Sequence, residues 1–248
     1  MTNLITKLIT AREFYRLLIF DYKIKNLTGS IKFQLGNIDV GVKRRDVIGE
    51  ILQDWVCEWL RRSEIDFIAN PLPQKSPDIY LNPKNLRGDW LEVKAFNRID
   101  NPRFSIAVFD FFVEDCVRRP YHLDADYLIF GYEMDTETGE LKIKDLWLKK
   151  IWEITKPMTK WPLTVKTSCG SAVEIRPCTW YATKTKTKVF ETLEDFLAAL
   201  EAAVFQNPDT RPKAYRWRER FLKNYEKHYG KKIKFPIWDE IKNKYKNS

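Results

Sequence analysis

Asp78 follows Pro77 and stands fourteen positions before Glu92, and a single residue, Val93, separates Glu92 from Lys94. In a strand, period two puts Glu92 and Lys94 on one face and Val93 on the other. If the strands carrying Asp78 and Glu92 pair as a hairpin through residues 82–88, two carboxylates and an ammonium converge. Adjacent carboxylates repel one another unless a cation joins them. Magnesium is the expected cation: it is a hard ion that takes one or two carboxylates, keeps several waters and leaves positions for phosphate oxygens. Lys94 then stands where it can orient or help deprotonate an attacking water and balance the charge that builds during phosphodiester hydrolysis.

Other arrangements of the same residue types are weaker. Glu140-Leu141-Lys142 directly follows the turn DTETG and has no acid-bearing strand just before it, so it reads as a solvated hairpin. Pro208-Asp209 has no acid-x-Lys downstream and reads as a linker or helix start. No GxxxxGK[ST] motif is present, so no nucleotide cofactor is expected. The four cysteines form no CxxC pair and only His122 and His228 could join them, so they read as reduced core thiols and not as a zinc site.

The elements that must position the acids follow from periodicity. Residues 45–62 repeat apolar side chains at helical spacing, with Asp46 placed to cap the start. An earlier helix is expected over residues 4–20, then a strand or hairpin over 31–42 with turn signals at Thr28-Gly29-Ser30 and Gly36-Asn37. Residues 67–72 read as a connector, QKSPDIYLNP as a short strand ended by Asn82-Pro83, and DWLEVKAF as an alternating strand. Residues 103–118 return to helical spacing; DYLIFGYEM reads as a strand buried on both faces, with LKIKDLWL its hairpin partner. A polar strand-like region over about 161–188 and a helix over 190–205 complete the pattern, with no internal repeat. This order predicts an α/β fold: a mixed central β-sheet flanked by helices.

Pro77-Asp78, Glu92 and Lys94, with acid and lysine sharing a strand face between two helices, resemble the PD-(D/E)xK nuclease superfamily. The resemblance covers residues 45–135 at the level of core pattern. It implies a restriction-endonuclease-like core in which Asp78, Glu92 and Lys94 are catalytic and Asp78 and Glu92 hold metal. Glu50 takes the place of the additional helix acid that many members use for metal; it could equally be a surface glutamate beside Arg45 and Asp54. The length and the lack of an ATPase motif make the chain look like a stand-alone type II restriction endonuclease. AVEIRPCTW resembles a segment of type II enzymes that read the interrupted palindrome GGNNCC, and a palindrome implies a homodimer.

Charge distribution agrees with a nucleic-acid partner. From residue 211 to 248 there are thirteen Lys or Arg against four Asp or Glu, which accounts for the whole net charge of +9. The bases alternate with Tyr215, Trp217, Phe221, Tyr225 and Tyr229, a pattern that suits a polyanion or equally a helix docking its aromatic face on the core. Residues 1–206 are therefore expected to form the catalytic domain, and 207–248 a basic helical C-terminal extension. Double-stranded DNA is expected to meet Asn97, Arg98, Asn101 and Arg103 after the acid-bearing strand, and Lys166, Thr167, Ser168 and Arg176 in the polar β region. The first group could instead cap the following helix. Lys184, Lys186 and Lys188 fall at period two and either line a phosphate track or protect an edge strand.

The remaining composition excludes other classes. With 44% apolar and 14% aromatic residues the chain can build a sizeable core, and no stretch approaches the ~18 consecutive apolar residues of a membrane helix. The start, broken by Lys7, Arg12 and Arg16, lacks the pattern of a signal peptide, so a cytoplasmic protein is expected. The leading reading is a sequence-specific DNA endonuclease. A structure-specific junction or repair nuclease and a non-catalytic nucleic-acid-binding protein are the alternatives.

Overall fold

The structure, a computed structural model, describes residues 7–72, 75–182 and 188–245. Its elements run α1 (Ala11–Arg16), β1 (Thr28–Ser30), β2 (Lys32–Leu35), β3 (Ile38–Gly41), α2 (Ile48–Arg62), β4 (Ile68–Ala69), β5 (Ile79–Tyr80), β6 (Trp90–Asn97), β7 (Ala107–Val108) and α3 (Phe109–Arg118). They continue with β8 (Asp126–Met134), β9 (Glu140–Lys149), β10 (Val165–Ser168), β11 (Ser171–Ile175), α4 (Leu193–Gln206), α5 (Trp217–Tyr229) and α6 (Trp238–Ile241). The chain packs as two compact units, Met1–Pro102 with Ala125–Lys149, and Arg103–Asp124 with Lys150–Ser248.

The first unit holds a six-stranded mixed sheet in the order β1-β9-β8-β6-β5-β4, in which β6 and β8 are parallel and the other neighbours antiparallel. This is the mixed α/β sheet expected. β8 is buried almost throughout because β6 and β9 pair on its two edges. On α2, Ile48, Leu52, Val56 and Leu60 form one buried stripe that joins Phe14, Leu18, Leu91, Val93, Leu128 and Phe130 in a single core. Leu91 and Val93 thus tie β6 to the helices, and their alternation sends Glu92 and Lys94 to the opposite face.

Several boundaries differ from expectation, each for a local reason. Thr10 and Glu13 form a capping box that starts α1 at Ala11, and the chain continues as a wider π turn over Leu17–Asp21. Thr28–Ser30 is not a turn but an edge strand paired with β9. Asp46 does not cap α2; it is taken up by Arg44, 3.1 Å from Nε to Oδ1. The helix expected from residue 103 begins at Phe109, because Ala107 and Val108 pair with β11. Cys57, Cys116 and Cys178 are buried free thiols, but Cys169 is exposed in the β10–β11 turn.

In the second unit, β10-β11-β7 form a three-stranded sheet, and α3, α4, α5 and the short α6 supply the helices. α4 starts where Thr192 accepts from the Asp195 N–H. The stretch beyond residue 206 packs in this unit. Trp217 and Phe221 are fully buried, Trp217 Nε1 donates to the Val113 carbonyl at 3.1 Å, and Arg218 pairs with Glu201. On α5, Trp217, Phe221 and Tyr225 are buried, whereas Lys223 and Lys227 are exposed.

Candidate active site

Antiparallel pairing sets Ile79 opposite Leu91 and Tyr80 opposite Trp90, so one register step earlier Asp78 comes beside Glu92. Lys94 Nζ lies 3.0 Å from Glu92 Oε2 and 3.6 Å from Asp78 Oδ2. The backbone N–H of Val93 donates to Asp78 Oδ2 at 2.7 Å, and Ser76 Oγ donates to Glu92 Oε1. The three side chains expected to converge are therefore together and largely withdrawn from solvent.

Their electrostatics follow from that proximity. Burial and the neighbouring Glu92 charge push the Asp78 carboxyl up to about 6, against the opposing pull of Lys94 and the Val93 N–H. Burial works to lower the Lys94 ammonium, but Glu92 and Asp78 outweigh it and raise the group to about 12. Lys94 is accordingly charged at neutral pH and serves as a donor. Two buried acids sharing one cation leave a net negative site with oxygens to spare, a donor set that suits a hard divalent ion. Glu50 is exposed on the first turn of α2, and among the described residues no group of three or more His, Cys, Asp or Glu side chains is arranged to hold a metal. Asp78 and Glu92 are the pair the fold gathers, without Glu50.

The residues expected to meet DNA divide sharply. Asn97 is buried, and its Oδ1 accepts from the Ile99 N–H at 3.0 Å, so it shapes the turn after β6. Arg98 Nε donates to Asp145 Oδ2 at 2.7 Å, and its guanidinium lies 5.4 Å from the Trp147 ring centre. Both therefore make contacts within the first unit. Lys188 donates to the Lys244 carbonyl at 2.5 Å and lies 3.6 Å from Glu191. Lys184 and Lys186 lie outside the described residues.

The polar hairpin of β10 and β11 is more exposed. Lys166, Thr167 and Ser168 are exposed at the end of β10, and Cys169 and Gly170 turn the chain with φ of 49° and 84°. Arg176, just beyond β11, pairs with Glu174 and donates to the carbonyl of Arg103, which with Asn101 is exposed. Ser76, which donates to Glu92, immediately precedes the Pro-Asp pair and carries no other signal in the sequence.

Comparison with known proteins gives a consistent result. The sequence matches the family described as NgoBV restriction endonuclease over residues 8–245. It is 45% identical over 239 residues to the type II restriction enzyme NlaIV of Neisseria lactamica, covering 96% of this chain and 98% of that protein. It is 40% identical over 158 residues to the type II restriction enzyme NgoBV of Neisseria gonorrhoeae, covering 64% and 89% respectively. The fold superposes on the solved NlaIV restriction endonuclease with a TM-score of 0.93 at 44% identity, covering 98% of each chain.

Proposed function

The chain belongs to the NgoBV restriction endonuclease family, and from that premise we propose that Asp78, Glu92 and Lys94 are the centre at which it hydrolyses the phosphodiester bonds of double-stranded DNA, with magnesium. As a type II restriction enzyme of the PD-(D/E)xK kind it is a sequence-specific DNA endonuclease, which sets aside the junction-nuclease and non-catalytic readings. The observation that carries the assignment of the centre is the meeting of a buried and a half-buried carboxylate on one ammonium, 3.0 and 3.6 Å away.

In this proposal Asp78 and Glu92 hold the ion, whose chemistry when bound is to polarise the scissile phosphate and acidify water. Asp78 is kept in place by the Val93 N–H, and Lys94 donates toward the attacking water and the charge that develops on the phosphate oxygens. The protein acts in the cytoplasm, where the DNA is. Among the described residues no helix is long and apolar enough to cross a membrane. The likeness of AVEIRPCTW supports GGNNCC as the site read, and a two-fold site is matched by a homodimer. The exposed hairpin at Lys166–Ser168 and Arg176 are its reading elements, and the exposed bases of α5 contact phosphates.

A plasmid digest tests the whole reading. Discrete bands are expected in magnesium, lost in EDTA and lost in Asp78→Ala, with duplex binding largely kept because affinity comes mostly from phosphate contacts elsewhere. An Asp78→Ala protein that cuts at the wild-type rate overturns the centre.

A further inference from the structure

The loop that enters β5 is braced from within by one side chain. Asn70 Nδ2 donates to the carbonyls of Lys75 and Pro77, each at 2.9 Å, and Asn70 Oδ1 accepts from the Leu72 N–H at 3.1 Å. Its backbone N–H donates to the carbonyl of Asp78 at 2.9 Å. The amide thus uses both donor hydrogens and its acceptor on the segment itself. The two carbonyls it grips belong to the residues on either side of Ser76. Ser76 in turn donates to Glu92 Oε1, while Glu92 Oε2 faces Lys94 at 3.0 Å. Each oxygen of this buried carboxylate, 4% exposed as a residue, is fixed by a different donor.

We infer that Asn70 and Ser76 are positioning residues for the cleavage reaction: Asn70 fixes the loop, and the Ser76 hydroxyl fixes the rotation of the Glu92 carboxylate that presents an oxygen to the metal. This rests on the assignment of Asp78, Glu92 and Lys94 as the centre. A carboxylate free to rotate presents its oxygens to the ion in many orientations, and most of them are unproductive. Hydrogen-bond partners of metal ligands restrict that freedom, and their loss typically costs about 10–100-fold in metal affinity or activity. Asn70 supplies the same restriction one step further out, since a loosened loop moves Ser76 away from Glu92.

The test compares Ser76→Ala, Ser76→Thr, Asn70→Asp and Asp78→Ala. Asn70→Asp keeps the size and the acceptor toward Leu72 while removing both donors. Manganese is titrated into each DNA-free protein and free ion read by electron paramagnetic resonance; single-turnover cleavage is measured against magnesium concentration, and duplex affinity in calcium. Ser76→Ala and Asn70→Asp are expected to weaken manganese binding and slow cleavage by about 10–100-fold, with duplex affinity unchanged and Ser76→Thr restoring most of the loss. Ser76→Ala with wild-type manganese affinity and cleavage overturns the inference, as does a Ser76→Thr protein as impaired as Ser76→Ala. If Asn70→Asp does not fold, the Ser76 pair decides alone. Cleavage by Asp78→Ala at the wild-type rate would instead overturn the centre itself, whereas an inert Asp78→Ala beside an unaffected Ser76→Ala overturns only the positioning role.

Discussion

The Val93 N–H donates to Asp78 Oδ2 at 2.7 Å while the Val93 side chain sits in the core of the first unit, 5% exposed. One residue therefore couples the packing of β6 to the placement of an acid on the neighbouring strand. β6 presents Glu92 and Lys94 on one face by alternation and reaches Asp78 through its backbone, so the three groups of the proposed centre are set by a single strand and its register with β5.

Lys94→Ala is expected to lose about 10²–10³ or more in single-turnover rate, the range seen when a donor to developing negative charge is removed. Duplex affinity should change little. Because the ammonium is raised to about 12, it stays charged across the working range. Equal slowing by Lys94→Ala and by substitution of an exposed lysine far from the centre would count against the donor role.

Arg98→Ala should destabilise the first unit without altering the preference for cognate over random duplex. It removes the 2.7 Å bond to Asp145 and the packing on Trp147, for which about 1–3 kcal/mol is expected from the loss of a partly buried charged hydrogen bond. Gly131→Ala tests the same packing, since an added Cβ would meet Arg98 Cδ at 2.6 Å and Trp147 Cζ3 at 2.8 Å. Denaturant unfolding beside competitive duplex binding separates the two effects; a changed cognate preference in Arg98→Ala would return this arginine to the reading surface.

The contrast between Arg98 and Asp78 shows where the sequence is legible. Asp78, Glu92 and Lys94 could be placed because strand alternation and a short hairpin fix their relative positions locally, and the helical stripe of α2 is likewise a local periodicity. Arg98 could not, because its partner Asp145 lies 47 residues away on β9 and only the β6-β8-β9 order brings them together. Asn70 and Ser76 were hidden for a related reason: they act through backbone carbonyls and one carboxylate oxygen, which leave no periodic trace. The tail illustrates a third case. Its charge is plain, but whether Trp217 and Phe221 face DNA or core depends on α5 packing against α3, where the Val113 carbonyl accepts from Trp217.

Asp115 should give the second unit an acid-sensitive increment of stability. Burial raises its carboxyl, but hydrogen bonds from His122 and Arg119 outweigh burial and hold it below the ordinary value of 3.8. A group depressed in the folded state stabilises above its unfolded value and loses that contribution as pH falls through the folded one. The difference in unfolding midpoint between the wild type and Asp115→Asn should therefore be full at pH 6 and shrink progressively below about pH 4. A difference that stays constant down to pH 2 would show that the asparagine acts by packing alone.

Deleting the tail is the wrong test of its charge, because Trp217, Phe221 and Tyr225 are buried and their loss would open the second unit. Neutralising Lys223 and Lys227, both exposed on α5, leaves the packing intact. If each meets a phosphate, the slope of log affinity against log salt should flatten by about 0.9 per residue, for cognate and random duplexes alike. An unchanged slope would make α5 a solvated helix with no DNA contact.

Arg176 is the sharpest test of where bases are read. Guanine offers two acceptors in the major groove that a guanidinium can meet together, provided it is held at a fixed angle. Arg176 is so held: Glu174 pairs with Nη2 and the Arg103 carbonyl accepts from Nη1, while the neighbouring turn at Cys169 and Gly170 projects Lys166, Thr167 and Ser168 into solvent. The same bonds would serve a purely structural arginine, tying β11 to the segment before β7. The two roles differ in what they predict for different duplexes. A base reader lost as Arg176→Ala should cost about 1–3 kcal/mol on the cognate site and far less on random sequence. A structural arginine should weaken both equally and lower the unfolding midpoint. Competition of cognate against random duplex in calcium, measured beside thermal unfolding, decides between them; equal losses would move the search for the reading surface to Asn101, Arg103 and the Thr167–Ser168 tip.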